Sequence, residues 1–382
     1  MFLRNGDILL REGGLIICEG IEHFGEKIRI LCKGMRYFFS RFGLLMLLAF
    51  CLGQETSWAQ RKRFRVVEYN VENLFDTVHQ EALNDLEYTP KGSRHWDSRR
   101  YWTKQDKLLR VIVACSGVEP ADLVVLCEVE NDTVLRDLTQ RTRLRSMGYE
   151  FLMTRGSDPR GINVALMYQP FSFKPLCWKA LEVVSAHNPK GSTRDILWVE
   201  GLTPTQDTLH LYCVHLPSRS GGQRATDKRR SEAVEIIASH IDSLRTVGRE
   251  PKTLILGDFN DEWRNNSIRK VLGARPPRGK LRPENRYVLT ANLKNGREIR
   301  GTYYFRQRWS QLDHVIVSGN LLDKQSRFFT AQDFCRIGAF DFLLERTHRG
   351  SVKPRRSYLG PVYHGGYSDH LPVVLDFYYE AE

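Results

Sequence analysis

The run Thr253-Leu254-Ile255-Leu256 ends abruptly in Gly257-Asp258-Phe259-Asn260. The apolar residues read as a buried strand, and Gly257 admits a tight turn or a close approach that a side chain would block. Asp258 and Asn260 then offer a carboxylate and an amide just past the strand end. Alone, such a pair suits an Asx-capped turn equally well. Other apolar runs, however, carry the same kind of tip. Asn70, Glu128 and His215 follow runs, while Asp313 and the pair Asp369-His370 precede them. Carboxylates gathered together repel, so near neutral pH they take up a cation or protons. Mg²⁺ suits such a set, because it takes oxygen ligands and keeps waters that a phosphate can replace. Mn²⁺ and Ca²⁺ are the alternatives. No Cys/His spacing points to zinc. Metal, carboxylate and imidazole are the parts that phosphodiester hydrolysis needs. A His held by an Asp stays oriented and charged, and His370 with Asp313 is the pair nominated for this. Arg219, beside Gly221-Gly222, either clasps phosphate or stays solvated.

The elements around these residues must bring them together. Strands are expected from Arg63 to Tyr69, Ala121 to Cys127, Arg160 to Tyr168, Phe171 to Val184, Asp195 to Gly201, Thr208 to Val214, and Leu371 to Phe377. Leu108, Ile112 and Cys115 share a helical face that Gly117 stops. Val234, Ile237, Ile241 and Leu244 mark a second, long helix, and Asn131 to Arg145 also reads as helical. The second helix opens with Arg224, Lys228, Arg229 and Arg230, where its dipole prefers acids; those bases face an anion or solvent. Asp76 to Arg100 reads as a surface excursion. In a mixed sheet, the C-terminal ends of some strands lie beside the N-terminal ends of their antiparallel neighbours. One edge of the fold thereby collects every polar tip. Glu130 and His314 sit beside motif positions and are expected to be structural, alternation turning His314 to the face opposite Asp313.

The motifs Tyr69-Asn70-Val71-Glu72-Asn73, Leu126-Cys127-Glu128-Val129-Glu130-Asn131, Val214-His215-Leu216-Pro217-Ser218, Gly257-Asp258-Phe259-Asn260, Leu312-Asp313-His314 and Ser368-Asp369-His370 occur in this order. The chain thereby resembles the endonuclease/exonuclease/phosphatase superfamily from about Arg63 to its end. The resemblance implies a four-layer α/β sandwich, with two mixed β-sheets packed face to face and flanking helices. It implies Glu128 as principal metal ligand with Asn70 and Asp369 nearby, and Asp258 aligning or deprotonating the attacking water. Asn260 would position the phosphate. His215, and His370 paired with Asp313, would donate to the phosphoryl oxygens or protonate the leaving group. Two family features are not placed on this sequence: the active-site Tyr of many relatives and a carboxylate partner for His215.

The 382 residues carry 57 Lys+Arg against 45 Asp+Glu, a net charge of +12, with 41% hydrophobic residues. That composition buries a real core and favours polyanions. It supports an exported nuclease on DNA or RNA, with Trp263, Tyr303 and Trp309 as candidate base-stacking aromatics. The alternatives are a phosphoesterase for a lipid or small phosphorylated substrate, and a non-catalytic nucleic-acid-binding module. No stable protein partner is implied, and a monomer is expected. The basic segment Met35 to Arg41, the apolar run Phe42 to Gly53 and Ser57-Trp58-Ala59 read as a signal peptide. Met35 is then the true start, cleavage follows Ala59, and residues 60–382 form a single catalytic domain in the periplasm or medium. A membrane anchor at residues 42–53 is the alternative. Cys115, Cys127, Cys177, Cys213 and Cys335 are far apart, as expected of buried thiols rather than a disulfide framework.

Overall fold

In the computed structural model of the chain, residues 61–184, 193–246, 248 and 250–380 are described. The expected leader, its start at Met35 and its cleavage site after Ala59 lie outside the described residues. In chain order the main elements are β1 (Arg61–Leu74), α1 (Ser98–Ser116), β2 (Leu123–Val129), α2 (Asp132–Arg136), β3 (Glu150–Met153) and β4 (Asn163–Tyr168). There follow β5 (Lys174–Leu181), β6 (Ile196–Leu202), β7 (Thr208–His215), α3 (Gln223–Arg245), β8 (Lys252–Asp258) and β9 (Arg286–Val288). A hairpin of β10 (Tyr303–Phe305) and β11 (Arg308–Ser310) precedes β12 (Asp313–Ser318) and β13 (Phe328–Ile337). Two small hairpins, β14 (Leu344–Arg346) with β15 (Val352–Pro354) and β16 (Tyr358–Leu359) with β17 (Val362–Tyr363), lead to β18 (Val373–Glu380).

Two six-stranded mixed sheets, ordered β13-β18-β1-β2-β4-β3 and β5-β6-β7-β8-β12-β9, make the expected sandwich. The side-chain period of two decides which residue faces which layer. In β1, Phe64 and Val66 join Leu211, Leu256 and Val315 of the other sheet in the inter-sheet core. Val67, Tyr69 and Val71 instead face α1 through Leu108 and Ile112. In β8, Leu254 and Leu256 point inward while Ile255 packs outward with Val234 and Ile237 of α3. Each helix is amphipathic because it covers one outer face. Asp97 caps α1 through the Arg100 N–H, and Gly117, at φ 82°, ends it in a conformation that favours glycine.

Several expectations change. Asn131 to Arg145 is not one helix: α2 gives way to a π-helical turn at Asp137–Arg141 and a 3-10 turn at Arg143–Met147. The Asp76 to Arg100 excursion is anchored by buried Trp96, whose Nε1 donates to Phe75 O at 3.0 Å. The basic opening of α3 is mixed, since Arg230 is fully buried with Nε 2.8 Å from Asp261 Oδ2. Cys115, Cys127, Cys213 and Cys335 are buried free thiols, whereas Cys177 is exposed on the edge strand β5.

Candidate active site

The site is the open end of the inter-sheet core. Alternation through Leu209, Leu211 and Cys213 carries His215 to the inward face. The same rule carries Asp258 inward after Leu256 and Asp313 inward before Val315. Register aligns these tips: Asp258 pairs with His215 of parallel β7 and with Asp313 of antiparallel β12. Gly257 makes the approach feasible, since a Cβ there would lie 1.9 Å from Val214 O.

Glu128 gets there by a different device. Val124 and Leu126 face α1, and unbroken alternation would send Glu128 after them. A register shift between Cys127 and Val129, with Glu128 at φ 68°, hands that outer position to Val129 and turns Glu128 away. Asn70 Nδ2 then sits between the acids, 3.2 Å from Glu128 Oε1 and 3.1 Å from Asp258 Oδ2. Its Oδ1 accepts the Glu72 N–H at 3.0 Å, and Asn73 N donates to Glu128 Oε2 at 2.9 Å.

His215 Nε2 lies 3.6 Å from Asp258 Oδ2 and 3.8 Å from Glu128 Oε1, and its Nδ1 is buried without a partner. Among the described residues, no carboxylate therefore orients this ring from behind. His370 differs: its Nδ1 is 2.7 Å from Asp313 Oδ2, which also accepts the Thr302 hydroxyl. His370 Nε2 is 3.9 Å from Asp258 Oδ2. Burial pushes His370 down, but the Asp313 and Asp258 carboxylates outweigh it and hold its pKa well above the usual value. Burial, then Arg194 and Arg160, drive His215 well below. The two imidazoles are thus driven in opposite directions. Burial raises Asp258 to about 7 against the pull of His370. Glu68, one step deeper on the same face of β1, is pushed well up by burial and then by Asp313 and Asp258.

The remaining residues line the same cleft of about 940 Å³. Asn260 Nδ2 donates to Leu216 O at 3.1 Å and to Asp258 Oδ2 at 3.2 Å, and its N–H caps Asp258 Oδ1 at 2.8 Å. Asp369 is on the rim, paired at 3.0 Å with Arg356, which also reaches Glu72 at 3.3 Å. Arg219 is not a freely solvated loop residue: its Nε donates to Asn260 O at 2.7 Å. Arg160, Arg194, Arg306 and Arg308 add cationic walls that sequence reading missed, as it missed Arg356, Thr302 and Glu68. Arg160 carried a signal only as the entry to a strand beside Gly161. Tyr303 lines the cleft, but Trp309 and Trp263 pack on the outer cores instead. Glu130 and His314 are structural: Glu130 accepts from Asp76 N and Gln80, and His314 bridges Thr290 and Asp261 O.

Oxygen donors dominate here, which suits a hard divalent ion. Asp258, Asp313 and His370 offer ligand atoms within 4.8 Å of one another. His370 Nδ1 is already engaged by Asp313 Oδ2 at 2.7 Å, so these two are better read as an ion pair. Glu128 and Asp369 both reach the cleft, and Glu128, with Oε2 fixed by the Asn73 N–H, fits a ligand's part.

An acid floor, an imidazole held by Asp313 and arginine walls stand at one end of a two-sheet sandwich. The profile of the Endonuclease/Exonuclease/phosphatase family matches residues 65–378, and the chain belongs to that family. Its hydrolases are phosphoesterases, and its members use divalent metals. Among solved structures, the fold is similar to a Bacteroides thetaiotaomicron member of the family, at 16% identity over 84% of this chain and 96% of that one, TM-score 0.51. ANGEL2, a 2',3'-cyclic phosphatase in complex with adenosine-2',3'-vanadate, is similar at 14% identity over 84% and 97%, TM-score 0.52. A humanized D. rerio TDP2 matches at 15% identity over 82% and 98%, TM-score 0.50. No curated protein matches in sequence.

Proposed function

We propose that the protein is a divalent-metal-dependent phosphodiester hydrolase acting on nucleic acid, DNA or RNA. One observation carries this: the cleft joins an acid floor of Glu128 and Asp258 to walls bearing Arg160, Arg194, Arg219, Arg306 and Arg308. Guanidinium groups match phosphate oxygens, and several on one cleft suit a polyanion better than a single phosphate. The net charge of +12 agrees.

Glu128, with Asp369 on the same cleft, would hold Mg²⁺, which would neutralise phosphoryl charge, while Asn70, its Nδ2 turned to Glu128 and Asp258, would steady those acids. Asp258 orients a water and takes its proton as the water oxygen bonds to phosphorus; a pKa near 7 suits a base at neutral pH. Asn260 steadies Asp258 and the adjoining phosphate. As the opposite P–O bond breaks, cationic His370, held by Asp313, gives its proton to the leaving oxygen. Neutral His215 donates a hydrogen bond to a phosphoryl oxygen. In this reading the mature chain is residues 60–382, exported after cleavage behind Ala59, and acts as a monomer.

The test is a substrate panel with Mg²⁺, Mn²⁺ or Ca²⁺: plasmid, oligonucleotides, RNA, a phosphocholine lipid, a sugar phosphate and a 2',3'-cyclic nucleotide. Cleavage of polynucleotide, lost in Asp258→Asn and Glu128→Gln, supports the proposal. Hydrolysis of only a lipid or small ester replaces it. Polynucleotide binding without turnover, indifferent to those substitutions, reduces the protein to a binding module.

A further inference from the structure

The hairpin β10–β11 stands between the catalytic cleft and a second hollow of about 580 Å³. Its rings form a ladder leading out of the site. The Tyr303 ring lies 4.8 Å from that of His370, centroid to centroid, and Phe305 is stacked on Tyr303 at 6.3 Å and 20°. The Arg306 guanidinium follows, 5.2 Å from the Phe305 centroid. Alternation sends Tyr304 the other way, edge-on to Trp309 at 5.2 Å, which roots the hairpin in the outer core.

This ladder is held in place. Tyr303 bridges His370 through the backbone, Leu371 N donates to Thr302 O at 2.8 Å, and the Thr302 hydroxyl binds Asp313. The rings are therefore positioned by the same contacts that position the imidazolium. Phe305 is 54% exposed, so its free ring face is open to a ligand at the cleft mouth. The turn is also strained. Arg306 and Gln307 sit at φ 45° and 64°, where a two-residue hairpin turn favours Asn-Gly. A cation is kept at the tip despite that cost, and such strain points to a use. Arg306 and Arg349 enter no ion pair among the described residues, and both line the second hollow.

We infer that this hairpin is a stacking wall for unpaired nucleotides, so that the substrate is single-stranded nucleic acid led over Phe305 and Arg306 into the second hollow. The inference rests on the nucleic-acid reading above. A phosphate paired with Arg306 brings its base against the adjacent ring. A base inside a duplex has both faces covered by its neighbours, so only an unpaired strand offers a free face.

The test is fluorescence anisotropy in EDTA, which withholds the divalent ion so that strands are bound but not cut. The probes are a labelled oligothymidylate, the same strand with abasic linkers in place of its bases, and a duplex of equal length. Wild type is expected to bind the base-bearing strand roughly tenfold tighter than the abasic one. Phe305→Ala should bring that ratio close to one, and Phe305→Trp should restore it. A ratio near one in wild type, a ratio untouched by Phe305→Ala, or a duplex bound more tightly than the single strand overturns the inference. Cleavage with Mg²⁺ separates the two claims. Strands cut without any preference for bases overturn only the stacking wall, whereas hydrolysis confined to small esters or lipid overturns the nucleic-acid reading and the wall with it.

Discussion

Two clusters of buried charge lie on opposite faces of the sheet near the tip of β8. On the outer face, Asp261 meets Arg230 at 2.8 Å, with the Ser267 hydroxyl and Asn265 amide each donating to it at 2.7 Å. Both partners of that ion pair are fully buried, and the acid has a cation of its own. On the inner face, Asp258, Asp313 and Glu68 share the His370 imidazolium, and buried Asp313 Oδ1 has no hydrogen-bond partner. The first cluster carries its own counter-ion and serves the fold. The second has more acids than cations, a state that burial penalises and that an incoming proton, cation or substrate relieves.

The comparison breaks most severely at Asp258. Asp258→Asn should lower kcat by about 10²- to 10⁴-fold, the usual span for losing a positioned base. Chemical unfolding of the same variant should show no loss of stability, because a crowded buried carboxylate has been removed. Full activity would take Asp258 out of the reaction. Arg230→Met is the converse. It removes the nearest cation of buried Asp261, leaving only Arg219 at 3.9 Å, and should cost about 3–5 kcal/mol in urea denaturation. Its folded fraction should keep kcat within a few-fold of wild type. A stable Arg230→Met protein would mean that the outer pair contributes little.

The pH–rate profile sharpens the contrast. Activity should climb with pH through about 7 as Asp258 gives up its proton. It should fall at higher pH, where His370, held well above its ordinary value, loses its own. Asp313→Asn removes the leading charge that raises His370, so the alkaline limb should move to lower pH and the maximum should drop. An alkaline limb that stays in place would assign it to another group. Stability follows the same sign. A carboxyl raised in the folded state keeps a proton that the unfolded chain has already released. The Asp258 site therefore costs stability as pH rises from about 4 through 7.

The smallest effect is that of the cation. Mg²⁺ at ten times its Kd should stabilise the folded chain by about 1.4 kcal/mol, read as an EDTA-reversible shift in Tm. The shift should be larger at pH 8 than at pH 5.5, because ionised carboxylates attract the ion more strongly. It should vanish in Glu128→Gln, while Arg230→Met should retain it. An equal shift at both pH values would locate the ion elsewhere.

Much of this architecture was legible in the residues. Their places at strand ends gathered His215, Asp258 and Asp313 at one edge of the fold, and period-two alternation turned His314 away. The apolar stripes of α1 and α3 announced the faces they cover. These are local properties, set by backbone geometry and by the preference of apolar surface for burial. Glu128 was found through its motif, but its direction depends on a register shift that no residue pattern announces. Trp263 and Trp309 read as mouth aromatics because composition cannot tell an outer core from a rim. Arg160, Arg194 and Arg356 went unnoticed because an arginine acquires a role only from what packs beside it. The two imidazoles show the limit most clearly. His215 and His370 are chemically identical in the chain, and only tertiary packing pushes one pKa down, by burial and then by Arg194 and Arg160, and holds the other up, between Asp313 and Asp258. A sequence determines which groups are available and which way a strand turns them. Protonation is set by desolvation and by charges from distant segments, which exist only once the sheets have closed on each other.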